Sequence, residues 1–212
     1  MSQVSDLRFM DLALALARAG LGRTAPNPSV GCVIVTNGRV TGAARTADSG
    51  RPHAETQALA QAGDSARGAT AYVTLEPCAH HGVTPPCAEA LIAAGISRCV
   101  VALIDPDPRV AGGGLKRLRE AGIETVTGVR EAVGRAVNAA FLKRLETGRV
   151  WLAIDDEAGA YDRTLETAPD GLEAALAGLA REGALRVRLE PGSDLARQAE
   201  TLGLADFLSR AS

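Results

Sequence analysis

His53 and Glu55 stand two residues apart in "RPHAETQALA", residues 51–60. Cys78 and Cys87 stand in "TLEPCAHHGVTPPCAEALIAAG", residues 74–95, with eight residues between them. One imidazole and two thiols form a donor set that suits zinc. A catalytic zinc keeps three protein ligands and leaves the fourth place to water, whose pKa falls from ~15.7 to ~7. Expelling an amine also needs a proton carried to the leaving nitrogen. Glu55, in the same helical turn as His53, is placed to act as base and then as acid without binding metal. A lone His-x-Glu carries little weight, and paired cysteines are often small hydrophobes. The combination of His-x-Glu with a later Pro-Cys and Cys, each at a strand-to-helix junction, points to one site. Cys32 and Cys99 lie inside apolar strands and read as core. His80 and His81 are spare candidates that read as pocket lining or solvent-facing, because three ligands already suffice.

The elements that must hold these residues follow from periodicity and turn chemistry. Ser5 or Asp6 can cap a helix with a 3.6-residue apolar period that ends at Gly20. "GRTAPNPSVG" is a loop rich in turn residues. Asn37-Gly38 between apolar runs predicts a hairpin. Residues 53–62 and 86–94 read as helices, 69–75 and 98–104 as strands. A helix over 114–121, a strand over 123–127 and a helix over 129–145 follow. An opening hairpin followed by alternating helices and strands predicts an α/β fold, a mixed sheet with helices on both faces. His53 and Cys87 then open helices, whose N-terminal partial charge favours the thiolate that binds metal.

Net charge is −2 over 212 residues, which argues against a general nucleic-acid binder. Residues 1–147 hold 16 basic and 13 acidic side chains, while 148–212 hold 7 and 12, so composition shifts near 148. The N-terminus lacks a basic n-region and cleavage site, and no apolar run approaches the ~18 residues of a membrane span. The expectation is a cytoplasmic protein with no membrane partner. Thiols stay reduced there, so four cysteines suggest metal or catalysis before disulfides.

The motifs "APNPSVGCVIV", "GRPHAETQALAQAG", "GATAYVTLEPC", "DPDPRVAGGGL" and "NAAFLKRLETGR" resemble the deaminase half of the bifunctional riboflavin-biosynthesis deaminase/reductase, from about Phe9 to Leu145. The eight-residue gap between the cysteines is specific, since cytidine and tRNA-adenosine deaminases of the same superfamily usually have two residues there. The resemblance implies a three-layer α/β/α cytidine-deaminase-like fold. It implies hydrolytic removal of the 2-amino group of 2,5-diamino-6-(5-phosphoribosylamino)pyrimidin-4(3H)-one, with chemistry shared by zinc deaminases. By the same resemblance His53, Cys78 and Cys87 hold Zn2+, and Glu55 shuttles the proton. Asn27 hydrogen-bonds the pyrimidine, the backbone of Ala54 lines the pocket, and Glu76 precedes the metal loop on the substrate side. The chain departs from the family at Val83 and Gly113, where a basic residue is usual, and at Arg45 and Thr46. Arg45 and Arg51 are the candidates to pair with the ribose phosphate in its place.

The implied domains are a zinc-dependent pyrimidine deaminase over 1–147 and a small α/β remnant of the reductase over 148–212. The reductase's Glu-Gly-Gly cofactor loop reads Glu190-Pro191-Gly192 here, and proline removes a backbone donor, so no cofactor-binding residue is expected. Two other readings exist: a zinc deaminase for another aminopyrimidine or pterin-like substrate, and a non-catalytic zinc-bound scaffold. The expected partners are a small-molecule pyrimidine, a second copy in a homodimer, and a separate reductase in the pathway.

Overall fold

The computed structural model describes residues 3–79, 85–106 and 111–209. The chain divides into two units: 1–20, 29–47 and 51–137 form the first, and 21–28, 48–50 and 138–212 the second.

The first unit is built on a five-stranded mixed sheet of order β2-β1-β3-β4-β5. β1 (Gly31–Thr36) and β2 (Arg39–Arg45) form the hairpin. Asn37 and Gly38 both have positive φ, 52° and 75°, as a two-residue I′ turn requires. β3 (Thr70–Leu75) pairs antiparallel with β1, and β4 (Arg98–Leu103) runs parallel to β3. β5 (Glu124–Thr127) is parallel to β4. Every residue of β3 is buried, as befits a strand with helices over both faces.

α1 (Gln3–Ala19) and α5 (Glu131–Val137) pack together against β1, β3 and β4. α2 (Ala54–Ala62), α3 (Cys87–Ala93) and α4 (Gly113–Glu120) form a second group, with α2 seated on β1 and β2. Gly42 permits that seat: a Cβ there would lie 2.0 Å from the Ala58 carbonyl oxygen of α2. The α/β expectation therefore holds, with a mixed sheet between helices.

Two local expectations fail. The first helix already begins at Gln3, so neither Ser5 nor Asp6 caps it. Asp6 is buried instead. Its carboxylate accepts from Arg98 at 2.8 and 3.0 Å and from the Tyr72 hydroxyl at 2.8 Å, and a guanidinium on the sheet outcompetes the helix's own amides. The single helix over 129–145 is two, α5 and α6 (Ala139–Thr147), separated by Asn138 at φ −94°, ψ 12°. At ψ 12° the Asn138 backbone leaves the helical range, and apolar periodicity does not register that.

The second unit carries a parallel sheet of order β7-β8-β6-β9. Its strands are β6 (Trp151–Ile154), β7 (Arg163–Thr164), β8 (Arg186–Leu189) and β9 (Phe207–Leu208). β7 and β9 have two residues each, too short for any periodic signal. α7 (Leu172–Glu182) and α8 (Asp194–Thr201) complete it, around a core of Leu152, Ile154, Leu172, Val187 and Leu189. A cavity of about 590 Å³ lies beside α6 and α7 and contains none of the expected site residues. No described helix is long and apolar enough to cross a membrane.

Candidate metal centre

The centre assembles where β3 ends and two helices begin. His53 is the N-cap of α2, with extended backbone at φ −68°, ψ 159°, and its side chain makes no cap bond. It is therefore free to point away from the helix. Gln57, one turn on, anchors the approach: its Nε2 donates to the carbonyls of Arg45, Pro52 and His53 at 2.7, 3.0 and 3.3 Å. Sequence reading missed this residue; its only signal was an amide one turn after the histidine. Cys87 is the first residue of α3, and its amide donates to Cys78 Sγ at 3.3 Å. The next amide, Ala88, donates to the Cys78 carbonyl at 3.2 Å.

His53 Nδ1 lies 3.3 Å from Cys87 Sγ and 3.9 Å from Cys78 Sγ, and all three donor atoms lie within 4.8 Å of one another. Bonds of ~2.0 Å to nitrogen and ~2.3 Å to sulfur give tetrahedral edges of roughly 3.5 Å for N···S. The two observed separations bracket that edge. The protonation states fit as well. Hydrogen bonds from Cys87, opposed by burial and aided by His53, bring the Cys78 thiol down to about 4. The Cys87 thiol, bonded to Cys78 and buried, is held well above the ordinary thiol range. Metal binding to both sulfurs would require both as thiolates, so it would release the Cys87 proton. Donor identity, spacing and charge fit zinc.

Glu55 is buried at 3% exposure in the first turn of α2. Burial raises its carboxyl above the usual carboxylate range, and its side chain bonds Cys87. Ala54 is wholly buried at the first position of the same helix. Arg51 is exposed two residues before His53, whose imidazole pKa is raised chiefly by its hydrogen bond to Cys78. Arg45 is half-buried, and its Nη1 donates to the Thr46 carbonyl at 2.7 Å.

Glu76 directly precedes the metal loop, as expected, but its carboxylate is engaged by backbone. Both of its carboxylate oxygens accept backbone amides, from Asp105, Gly112, Gly114 and Leu115, so it holds the chain rather than a substrate. Asn27 belongs to the second unit, where its Nδ2 donates to the Gly50 carbonyl at 2.8 Å. Gly113 is the first residue of α4, and a Cβ there would lie 3.3 Å from the Ala79 Cβ. His80, His81 and Val83 lie outside the described residues. Cys32 and Cys99 are fully buried in β1 and β4 and do not join the donor cluster; burial pushes the Cys99 thiol up to about 12.

Protein purified without chelator should contain one zinc per chain by elemental analysis. A stoichiometry near zero would remove the metal from the site.

Residues 3–103 match the family model described as the cytidine and deoxycytidylate deaminase zinc-binding region. The riboflavin biosynthesis protein RibD of Escherichia coli is 49% identical over 161 residues, covering 76% of this chain and 44% of that protein. The chain thus spans less than half the length of that relative. The diaminohydroxyphosphoribosylamino-pyrimidine deaminase of Buchnera aphidicola is 46% identical over 145 residues, 68% of this chain and 99% of the relative. Among solved structures, Acinetobacter baumannii RibD matches with a TM-score of 0.83 and 28% identity, covering all of this chain and 88% of that one.

Proposed function

The chain belongs to the family of riboflavin-biosynthesis pyrimidine deaminases, and on that premise we propose that it hydrolyses the 2-amino group of 2,5-diamino-6-(5-phosphoribosylamino)pyrimidin-4(3H)-one, releasing ammonia. One observation carries the reading: three zinc donors converge within 4.8 Å beside a carboxyl buried at 3% exposure. His53, Cys78 and Cys87 hold the metal. Zinc bound there supplies Lewis acidity and makes water a nucleophile at neutral pH.

The remaining chemistry belongs to the chain. Glu55 Oε takes a proton from the attacking water and returns it to the leaving amino nitrogen. Its raised pKa suits both directions of transfer, because a group titrating nearer the working pH gives up a proton as readily as it accepts one. The helix turn that places Glu55 also places His53, so base and metal keep a fixed separation. Arg51 and Arg45 are the cations we assign to an anionic substrate. The test is ammonia release from the phosphorylated pyrimidine, compared with its dephosphorylated form and with other aminopyrimidines. Equal rates for the phosphorylated and dephosphorylated compounds would remove the phosphate from the recognition.

We read 148–212 as a reductase-like segment without a working cofactor cradle. Two features of the turn between β8 and α8 support this. Pro191 offers no amide, and the Ser193 hydroxyl accepts the Ala196 amide at 3.1 Å, occupying the helix start a phosphate would need. NADPH titration followed by fluorescence should be flat to millimolar; saturable micromolar binding would overturn this. A cytoplasmic homodimer fed by or feeding a separate reductase completes the proposal, and sedimentation velocity checks its stoichiometry.

A further inference from the structure

We propose that Glu76 is a positioning residue for the metal centre, fastening α4 to the strand end that carries Cys78 so that α4 braces both cysteine ligands. This rests on the reading of His53, Cys78 and Cys87 as zinc ligands. Glu76 follows the last residue of β3 and precedes Cys78 by two. Its own amide donates to the Leu103 carbonyl at 2.9 Å, which keeps it in line with β4. Its side chain is buried, and four amides converge on it. Oε2 accepts from Asp105 at 3.3 Å and Gly112 at 3.0 Å. Oε1 accepts from Gly114 at 3.0 Å and Leu115 at 3.1 Å. Bonds to a charged acceptor are roughly twice as strong as neutral ones, and three of these donors sit at the start of α4, where the helix dipole also favours an anion.

Two further links complete the brace. A Cβ added at Gly114 would lie 1.9 Å from the Pro77 carbonyl oxygen, so the α4 backbone rests directly on the residue before Cys78. Arg117 of α4 pairs with Glu89 of α3, the helix that Cys87 opens. α4 thereby touches the carrier of each cysteine. Both Glu76 oxygens are taken up by backbone amides, and its influence on the metal passes through Cys78.

Loss of such an outer partner typically weakens metal binding ~10–100-fold. Glutamine offers one carbonyl oxygen where four amides converge, and its NH2 would face donors. E76Q should therefore bind zinc about 10–100-fold more weakly than the parent in competition with a chelator of known affinity. Y72F is the control. It loses the hydroxyl bond to Asp6, on the face of β3 that meets α1, and should keep parental zinc affinity even where its Tm falls as far. R117Q, at a half-exposed pair, should weaken zinc in the same direction to a smaller degree. Parental affinity in folded E76Q, or an equal loss in Y72F, overturns the positioning role. If E76Q does not fold, R117Q decides, and unchanged affinity there overturns the brace. A parent that takes up no zinc would instead bring down the ligand reading on which the brace depends.

Discussion

Glu55→Gln should leave a folded, zinc-loaded protein whose turnover falls by ~10²–10⁴-fold, the usual contribution of a positioned proton carrier. The substitution is nearly isosteric, which matters at a side chain with 3% exposure. Glutamine can still bond the Cys87 sulfur but cannot accept the proton that attacking water must lose. The three donors are untouched, so metal content and thermal midpoint should match the parent. The measurement is kcat for ammonia release alongside zinc by elemental analysis on the same preparation. Near-parental kcat would show that another group moves the proton; joint loss of zinc and activity would show that Glu55 acts through the ligands.

Asp6→Ala carries the largest expected cost in stability. The Asp6 and Arg98 side chains are 8% and 14% exposed and meet through two hydrogen bonds, with Tyr72 adding a third to the carboxylate. Removing one partner of such a buried pair leaves the other charge poorly solvated and typically costs ~3–5 kcal/mol. Glu124 still holds Arg98 from the exposed side, so the lower end of that range is expected. The effect has a pH signature. Burial raises the Asp6 pKa, but the hydrogen bonds from Arg98 and Tyr72 outweigh it and leave it below the usual value. A depressed folded-state pKa stabilises above the unfolded value of ~3.9 and loses that contribution as pH falls through the folded value. The gap in urea midpoint between parent and variant should therefore be full at pH 7 and narrow below pH ~4. Zinc loss in acid affects both proteins alike, so the gap is the quantity to read. A constant gap across that range would mean that Asp6 acts by packing rather than by charge.

The convergence of His53, Cys78 and Cys87 was legible because each sits at a local signal. His53 begins a periodic run, Pro77 ends a strand before Cys78, and Pro86 starts the helix that Cys87 opens. Asn37-Gly38 was legible for the same reason, since the turn demands positive φ at both residues. What escaped depends on distance along the chain. Glu76 meets amides 29 to 39 residues away, and nothing beside it in sequence announces that. Asp6 meets Arg98 across 92 residues, so a carboxylate at a helix start read as a cap. Asn138 broke a helix whose apolar spacing was continuous. The affiliation of Asn27 was equally invisible, because its loop is defined by residues more than a hundred positions later.

That last feature bears on how the chain can be taken apart. Residues 21–28 and 48–50 cluster with 138–212, although their chain neighbours on both sides belong to the first unit. Pro26 lies so near Gly183 that an added Cβ would come within 3.0 Å. Dissection at a single bond near 147 would therefore not separate two independent modules. It would leave two orphaned loops on one fragment and a sheet lacking them on the other. Clean excision needs both loops replaced by short bridges as well as the cut.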